Sequence, residues 1–293
     1  MEFTITKAAP QDRQAILDLS SHFTDDYLEY AVDYWMSQEK GGLSLVWDGD
    51  NLVACCSLYF PTSYEAWLQG MRVHPDYQSR GIAYQLNKHL IEQAKTEGAA
   101  AIRLLTSEQN HPAMKVAQKL GFSPTGGRRE IIFRKPLLKS YKPGEDHTCN
   151  IRPCLASELS RAAYFLDDGP LFHNLQGYLF GPRYCYRRLT KKDLEEGIHN
   201  QQVYLLEEKS QVSGLLFIFK DKEQGHINLS YLDTPLEQLP SLLPLFNTWS
   251  KEGYHQFTIN LLAEQHRVLK PALEKLFGNY EYEQWCLMVK NLV

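Results

Sequence analysis

The 293-residue chain contains no run of about 18 apolar residues, which excludes a membrane-spanning helix. Its first residues, Met-Glu-Phe-Thr-Ile-Thr-Lys, have neither a basic region nor an apolar core. No signal peptide is expected, and the segment reads as a first strand. Positive charge is not in excess: the net charge is -4, which gives no support for a nucleic-acid partner. Cysteine is sparse, with six residues and no Cys-x-x-Cys pair. That argues against a zinc site or a disulfide framework, and for small buried thiols in a reducing cytoplasm. No metal is expected. Neither Gly-x-x-x-x-Gly-Lys-Ser/Thr nor Gly-x-Gly-x-x-Gly occurs at the chain's glycine-bearing helix start, so the nucleotide-hydrolase and dinucleotide loops are absent there. What remains is an ordinary globular balance, 43% hydrophobic and 23% charged, long enough for one large or two modest domains.

The most informative stretch is Val73-His74-Pro75-Asp76-Tyr77-Gln78-Ser79-Arg80-Gly81-Ile82-Ala83, followed by an amphipathic segment to about Glu97. It reads as a strand ended by a proline, a turn, and a glycine-containing loop that feeds a helix. The first N–H groups of a helix have no intrahelical partner, and the helix dipole adds partial positive charge there. Gly81 and Ala83 leave room for a bulky anion to approach the backbone. The segment therefore points to a ligand that carries a pyrophosphate.

Gln78-x-x-Gly81-x-Ala83 resembles the acetyl-CoA loop of the GNAT-type N-acetyltransferase superfamily. The preceding Trp67–Pro75 looks like that family's fourth strand. Asn110-His111-Pro112-Ala113 and Lys119-Leu120-Gly121-Phe122 are similar to a second family motif, in the expected order. The resemblance covers about residues 1–138 and implies acetyl-CoA as cosubstrate. It implies that Gln78, Ser79, Arg80, Gly81, Ile82 and Ala83 bind the phosphates. It places the pantetheine arm beside the backbone of Met71, Arg72 and Val73, and Asn110 near the thiol arm. Asn110 also reads as an N-cap for the helix opening at His111-Pro112.

The second half repeats the first. Glu97-Gly98 and Glu252-Gly253 open matching segments 155 positions apart (252 − 97), and His111/His266 and Lys115/Lys270 keep that offset. Ile5-Thr6-Lys7-Ala8 corresponds to Ile151-Arg152-Pro153-Cys154, and the closing strands near 130–133 and 284–288 also correspond. The copies differ at the loop. Pro75 to Gly98 spans 23 positions (98 − 75), whereas Pro235 to Gly253 spans 18 (253 − 235). The remnant Leu236–Ser241 has no glycine and carries Pro240. The expected architecture is α/β, in the α+β sense. It comprises two tandem GNAT-like domains, each a mixed, mostly antiparallel sheet flanked by helices. The first is 1-138 and binds acetyl-CoA, the second is 147-293 and is degenerate, and a polar linker runs from Leu138 to about Asp146.

Acetyl transfer requires a neutral amine, yet an alkyl ammonium has a pKa of about 10, so a base is expected. The family often uses a glutamate on the fourth strand. The matching position here is Trp67, and Glu65 lies two residues earlier on the same strand face. Glu65 is the candidate base and Glu108 the runner-up. The family's tyrosine acid falls at Ala117, with Tyr84, a water or a tyrosine from the second domain as substitutes. Between residues 25 and 35, Tyr27, Tyr30 and Tyr34 and the carboxylates Asp26, Glu29 and Asp33 suit a cationic amine, though core aromatics with a solvated acidic face are the more ordinary reading. The stretch Tyr178–Arg188, rich in arginine and aromatics, suits a substrate carboxylate or a plain interdomain patch. The expected function is cytoplasmic transfer of acetyl from acetyl-CoA to a small-molecule amine, perhaps one that is amino-acid-like. The alternatives are a protein or peptide N-acetyltransferase and a non-catalytic acyl-CoA-binding module.

Overall fold

The computed structural model describes residues 3–24, 26–134, 149–168, 178–180, 185–235, 238, 241–263, 266–267, 270–271, 274 and 280–292. In chain order the elements are β1 (Thr4–Lys7), α1 (Arg13–Ser20), α2 (Leu28–Met36), β2 (Gly42–Asp48), β3 (Asn51–Tyr59), β4 (Glu65–Val73), α3 (Ile82–Thr96), β5 (Ala101–Ser107), α4 (His111–Lys119) and β6 (Ser123–Arg134). They continue with β7 (Asn150–Pro153), α5 (Leu159–Asp168), β8 (Tyr178–Phe180), β9 (Tyr186–Arg188), α6 (Lys191–His199), β10 (Val203–Glu208), β11 (Gln211–Asp221), β12 (His226–Asp233), α7 (Leu243–Lys251), β13 (Gln256–Leu262) and β14 (Glu281–Asn291). No helix among the described residues is long and apolar enough to cross a membrane.

The chain forms two compact units. The first is Met1–Gly126 together with Cys286–Val293, and the second is Gly127–Trp285. In the first, strand order is β1-β2-β3-β4-β5 with the end of β14 beside β5. Alternation along β3 decides the layers. Ala54, Cys56 and Leu58 join Ala66 and Leu68 of β4 against Leu86, Leu90 and Ile91 of α3. Cys55 faces the other way, with Leu43 and Leu45, toward Ile16, Leu19, Leu28, Val32 and Trp35 of α1 and α2. The apolar residues of α3 recur every three or four positions, which places them on one buried stripe.

The second unit has the order β7-β10-β11-β12-β13 with the end of β6 beside β13. Its α7 side is built on Phe246, Trp249, Ile227, Leu229, Phe257 and Ile259, and its α5–α6 side on Ala162, Leu166, Leu194 and Ile198. The internal repeat is visible even in the turns that start α1 and α5. Asp12 Oδ2 accepts from Ala9 N at 2.8 Å, and Glu158 Oε2 accepts from Leu155 N at 3.0 Å.

The expected boundary at residues 138–147 lies outside the described residues, and the compact units divide elsewhere. Residues 286–293 complete the first unit, while residues 127–134 belong to the second. Met288 and Cys286 are buried with Leu86 and Ile102, and Lys290 Nζ donates to Leu120 O at 2.7 Å. Met288→Ala is therefore expected to destabilise the first unit by about 2–5 kcal/mol. Removal of 286–293 should abolish that unit's cooperative unfolding in a denaturant titration followed by circular dichroism.

Candidate active site

β4 and β5 run parallel and pair over four positions only, from Glu65↔Ala101 to Leu68↔Leu104. Both strands continue, β4 to Val73 and β5 to Ser107, but they part. The cause sits in β4. Its register against β3 shifts between Cys55↔Arg72 and Ser57↔Gln69, which is a bulge, and Gly70 within it takes φ +68°. The Trp35 ring occupies the place where a Cβ on Gly70 would stand, 2.4 Å away, so only glycine fits. The parting leaves backbone of Met71–Val73 on the β5 side without a strand partner, an edge able to receive an extended ligand.

The loop after β4 continues the same edge. Pro75–Tyr77 form a turn in which His74 Nδ1 accepts from Asp76 N at 3.2 Å. Gln78 Nε2 donates back to Val73 O at 3.3 Å. Ser79 and Gly81 both take positive φ, +63° and +80°, which turns the chain into α3. The first intrahelical bond is Gln85 N to Gly81 O, so the N–H groups of Ile82, Ala83 and Tyr84 have no acceptor within the helix. A Cβ on Gly81 would meet nothing within 4 Å; glycine is required here by conformation, and the space above it is open. Arg80 folds back onto its own loop, with Nη2 donating to Asp76 O at 2.7 Å and the guanidinium 4.8 Å from the Tyr77 ring. Tyr77 in turn donates to Asp48 Oδ2 at 3.0 Å. In this arrangement the Arg80 side chain braces the loop, and residues 78–81 lie exposed.

The far side of β4 carries Arg72. Its guanidinium grips Asp26 through two bonds, Nη2–Oδ1 at 2.6 Å and Nε–Oδ2 at 2.9 Å. Its guanidinium carbon lies 5.2 Å from the Tyr27 ring centre and 5.7 Å from that of Phe23. Asp26 also accepts from Ser20 Oγ and Leu28 N. The segment between α1 and α2 is thereby tied to the parted end of β4, and His22 packs on His74 with ring centres 4.2 Å apart. Burial alone would raise the Asp26 pKa, but the Arg72 and Ser20 bonds outweigh it and hold the carboxyl below its ordinary range.

The structure does not bring every expected site residue to the opening. Glu65 lies at the paired end of β4, buried, with Oε1 2.7 Å from Arg103 Nη1 on β5. Trp67 is buried on the same face. Glu108 directly follows β5 at the open end and is half-buried. Asn110 acts as the N-cap of α4, accepting from Ala113 N at 3.2 Å. Ala117 is core, and Tyr84 is exposed on the first turn of α3. Asp33 pairs with Arg13, Glu29 and Tyr30 are exposed, and Asp25 lies outside the described residues, so most of the acidic face is a solvated one. Burial pushes the Cys55 thiol up to about 12 and raises Cys56 as well, which leaves neither suited to nucleophilic chemistry. No cluster of three metal-ligating side chains occurs among the described residues.

The second unit repeats the parting: β12 and β13 pair in parallel only from His226↔Gln256 to Leu229↔Ile259. Of the stretch that matches the loop, residues 236–241, only Gln238 and Ser241 are described. The Gln238 side chain donates to Glu208 and accepts from Ser213 Oγ at 2.8 Å, binding the stretch to its own sheet. In the arginine-rich patch, Tyr186 is buried under Arg128, Arg187 is ion-paired with Asp193, and residues 181–184 lie outside the described ones.

A parallel pair that parts at a bulge beside a phosphate-type loop defines the GNAT fold class. Residues 13–122 match the acetyltransferase (GNAT) family. Over 96 residues the chain is 29% identical to the [ribosomal protein bS18]-alanine N-acetyltransferase of Salmonella typhimurium, covering 33% of this chain and 65% of that protein. The chain spans less than two thirds of the length of the curated relatives it matches first. Among solved structures, it is similar to a GCN5-related N-acetyltransferase from Sphaerobacter thermophilus, with a TM-score of 0.65 and 12% identity over 99% of this chain and 96% of that one. It is also similar to a tandem GNAT protein from the clavulanic acid biosynthesis pathway, with a TM-score of 0.57 and 13% identity over 100% of this chain and 99% of that one. Both likenesses are of fold.

The Arg72–Asp26 pair makes a prediction in pH. A carboxyl whose pKa is depressed on folding contributes stability that is present above its unfolded value, about 4, and is lost as pH falls through the folded value. Stability should therefore decline below about pH 4, and Asp26→Asn should flatten that decline. Asp26→Ala leaves Arg72 without its counter-ion and should cost about 3–5 kcal/mol at pH 7, read from urea unfolding.

Proposed function

We propose that the chain transfers an acetyl group from acetyl-CoA to the amine of a small molecule, in the cytoplasm. The observation that carries this reading is the juxtaposition of the parted β4 edge with the glycine loop at the start of α3. The residues present fit such a ligand. The N–H groups of Ile82 and Ala83, which have no acceptor within the helix, suit a pyrophosphate, the open space above Gly81 admits it, and the edge at Met71–Val73 suits the amide-bearing arm. When bound, acetyl-CoA supplies the thioester carbonyl that the amine attacks.

The chain's own residues do the rest. Backbone N–H at the bulge near Gly70–Met71 polarises the carbonyl. The acceptor amine loses its proton to a group at the opening, and of the two carboxylates expected for this task Glu108 stands there while Glu65 does not. A thiol of pKa about 8.5 leaves without a dedicated acid, so the alanine at position 117 is compatible with turnover. The segment fixed by Arg72 and Asp26 flanks the acceptor side and favours a small molecule. The name of the Salmonella relative supports a second reading, in which the acceptor is the terminal amine of a protein.

Two measurements test the proposal. Calorimetry should show one acetyl-CoA site in the wild type. Gly81→Trp should abolish that binding while the far-UV dichroism is retained, because the added ring meets solvent rather than protein. With a small amine, Glu108→Gln should lower kcat by about 10²–10⁴-fold and remove the acidic limb of the pH–rate profile. Glu65→Gln should keep that limb. Normal acetyl-CoA binding without CoA release for any amine or peptide would leave only the non-catalytic module.

A further inference from the structure

The first unit holds a second concavity, at the paired end of β4 rather than at the opening. A cavity of about 620 Å³ lies between residues 37–40, which follow α2, and Phe60, Thr62 and Ser63, which join β3 to β4. That volume is in the range of small-molecule sites. The turn that borders it is fixed from behind. Lys7 Nζ donates to Gln38 O at 2.9 Å and to Glu39 O at 3.0 Å. Gly41, at φ +71°, stands where a Cβ would run into Leu58 O. The backbone of the turn is thereby held, and the side chains of Glu39 and Lys40 are left to the cavity.

The lining carries unmet polar groups beside an apolar wall. Glu39 and Lys40 are adjacent, opposite in charge and exposed, yet they form no ion pair with each other or with another described residue. The Lys40 ammonium stands 4.1 Å from the centre of the Phe60 ring instead. Thr62 Oγ1 is buried and has no hydrogen-bond partner among the described residues. A buried hydroxyl left unmet is unfavourable, and such groups are rare in native proteins. An unpaired carboxylate and an unpaired ammonium around one ring are the complement of a molecule that bears both charges and an apolar body.

α2 connects this cavity to the opening. Ser37, in the lining, is two residues past Trp35, whose ring locks the bulge at Gly70. The same ring stands edge-on to Tyr27 with centres 6.0 Å apart, and Tyr27 faces the Arg72 guanidinium. We propose that the cavity is an effector site for a free α-amino acid with a large apolar or aromatic side chain. Lys40 and the Thr62 hydroxyl take the carboxylate, Glu39 takes the ammonium, and Phe60 packs against the side chain. Occupancy shifts the C-terminal end of α2 and, through Trp35 on Gly70, changes how β4 and β5 part. The binding site stands apart from the acetyl-transfer reading; its effect on the opening rests on that reading.

Calorimetry of the full chain with L-phenylalanine tests the site. One site is expected in the wild type without acetyl-CoA. Lys40→Ala and Glu39→Gln should each weaken it by about 10- to 100-fold, as loss of a charge-assisted hydrogen bond gives, and should leave the binding of acetyl-CoA alone unchanged. 3-Phenylpropionate, which lacks the ammonium, should bind the wild type at least about 10-fold more weakly than L-phenylalanine. Saturating L-phenylalanine should shift the acetyl-CoA dissociation constant by about 5-fold or more, and acetyl-CoA should shift that of L-phenylalanine by the same factor. No binding of L-phenylalanine, binding that both variants leave intact, or equal binding of 3-phenylpropionate would overturn the site. An acetyl-CoA dissociation constant unmoved by bound L-phenylalanine would overturn its role as an effector site. Absence of acetyl-CoA binding in the wild type would overturn the acetyl-transfer reading instead, and the L-phenylalanine titrations would still decide the site.

Discussion

The first unit depends on a pair of parallel strands that cannot stay together. β4 and β5 exchange hydrogen bonds over four positions and then separate, because the bulge at Gly70 turns β4 aside and Trp35 locks that turn from above. In a sheet interior, unpaired backbone is unfavourable unless something else meets it. Here it becomes a stretch where an extended ligand can add to the sheet without displacing a strand. The loop at Gln78–Gly81 follows within a few residues, so a ligand with an amide-bearing arm and a pyrophosphate head meets both features in sequence.

The neighbouring interactions hold this opening in shape. Arg72 is the first residue on the acceptor face beyond the bulge, and its two-bond grip on Asp26 ties the α1–α2 segment to the strand end that would otherwise move most freely. Tyr77, Asp48 and Arg80 brace the loop in the same way. Each brace uses side chains, which leaves the backbone N–H groups of Ile82 and Ala83 at the start of α3 available. In the second unit Gln238 takes the opposite course and fastens the corresponding stretch to Ser213 and Glu208. The parting of strands recurs there, and in sequence residues 236–241 carry no glycine.

Much of this was legible in the sequence, and the failures have physical causes. The loop could be read because its requirements are local: a glycine for positive φ, a proline to end the strand, and an apolar stripe for the helix. The same locality made the N-cap role of Asn110 visible as an alternative. Glu65 was placed on the right face of β4 by simple alternation, yet its ion pair with Arg103 depends on strand register, which no local pattern encodes. The repeat at a 155-residue offset (252 − 97) gave two copies of one architecture. The compact units nonetheless divide at Gly127 and Cys286. Residues 130–133 and 284–288 read as the closing strands of their own copies, because alternation identifies a strand without naming its neighbour.

That allocation of strands bears on when the protein can fold. Residues 286–293 pack with side chains such as Leu86 and Ile102, made nearly two hundred residues earlier. A ribosome that has finished the glycine loop and α4 still holds a first unit whose β5 edge is uncovered. The first unit is therefore completed only once residues 286–293 have been made, well after α4. Until then a growing chain displays an apolar strand edge of the sort that chaperones shield and that promotes pairing between neighbouring nascent chains.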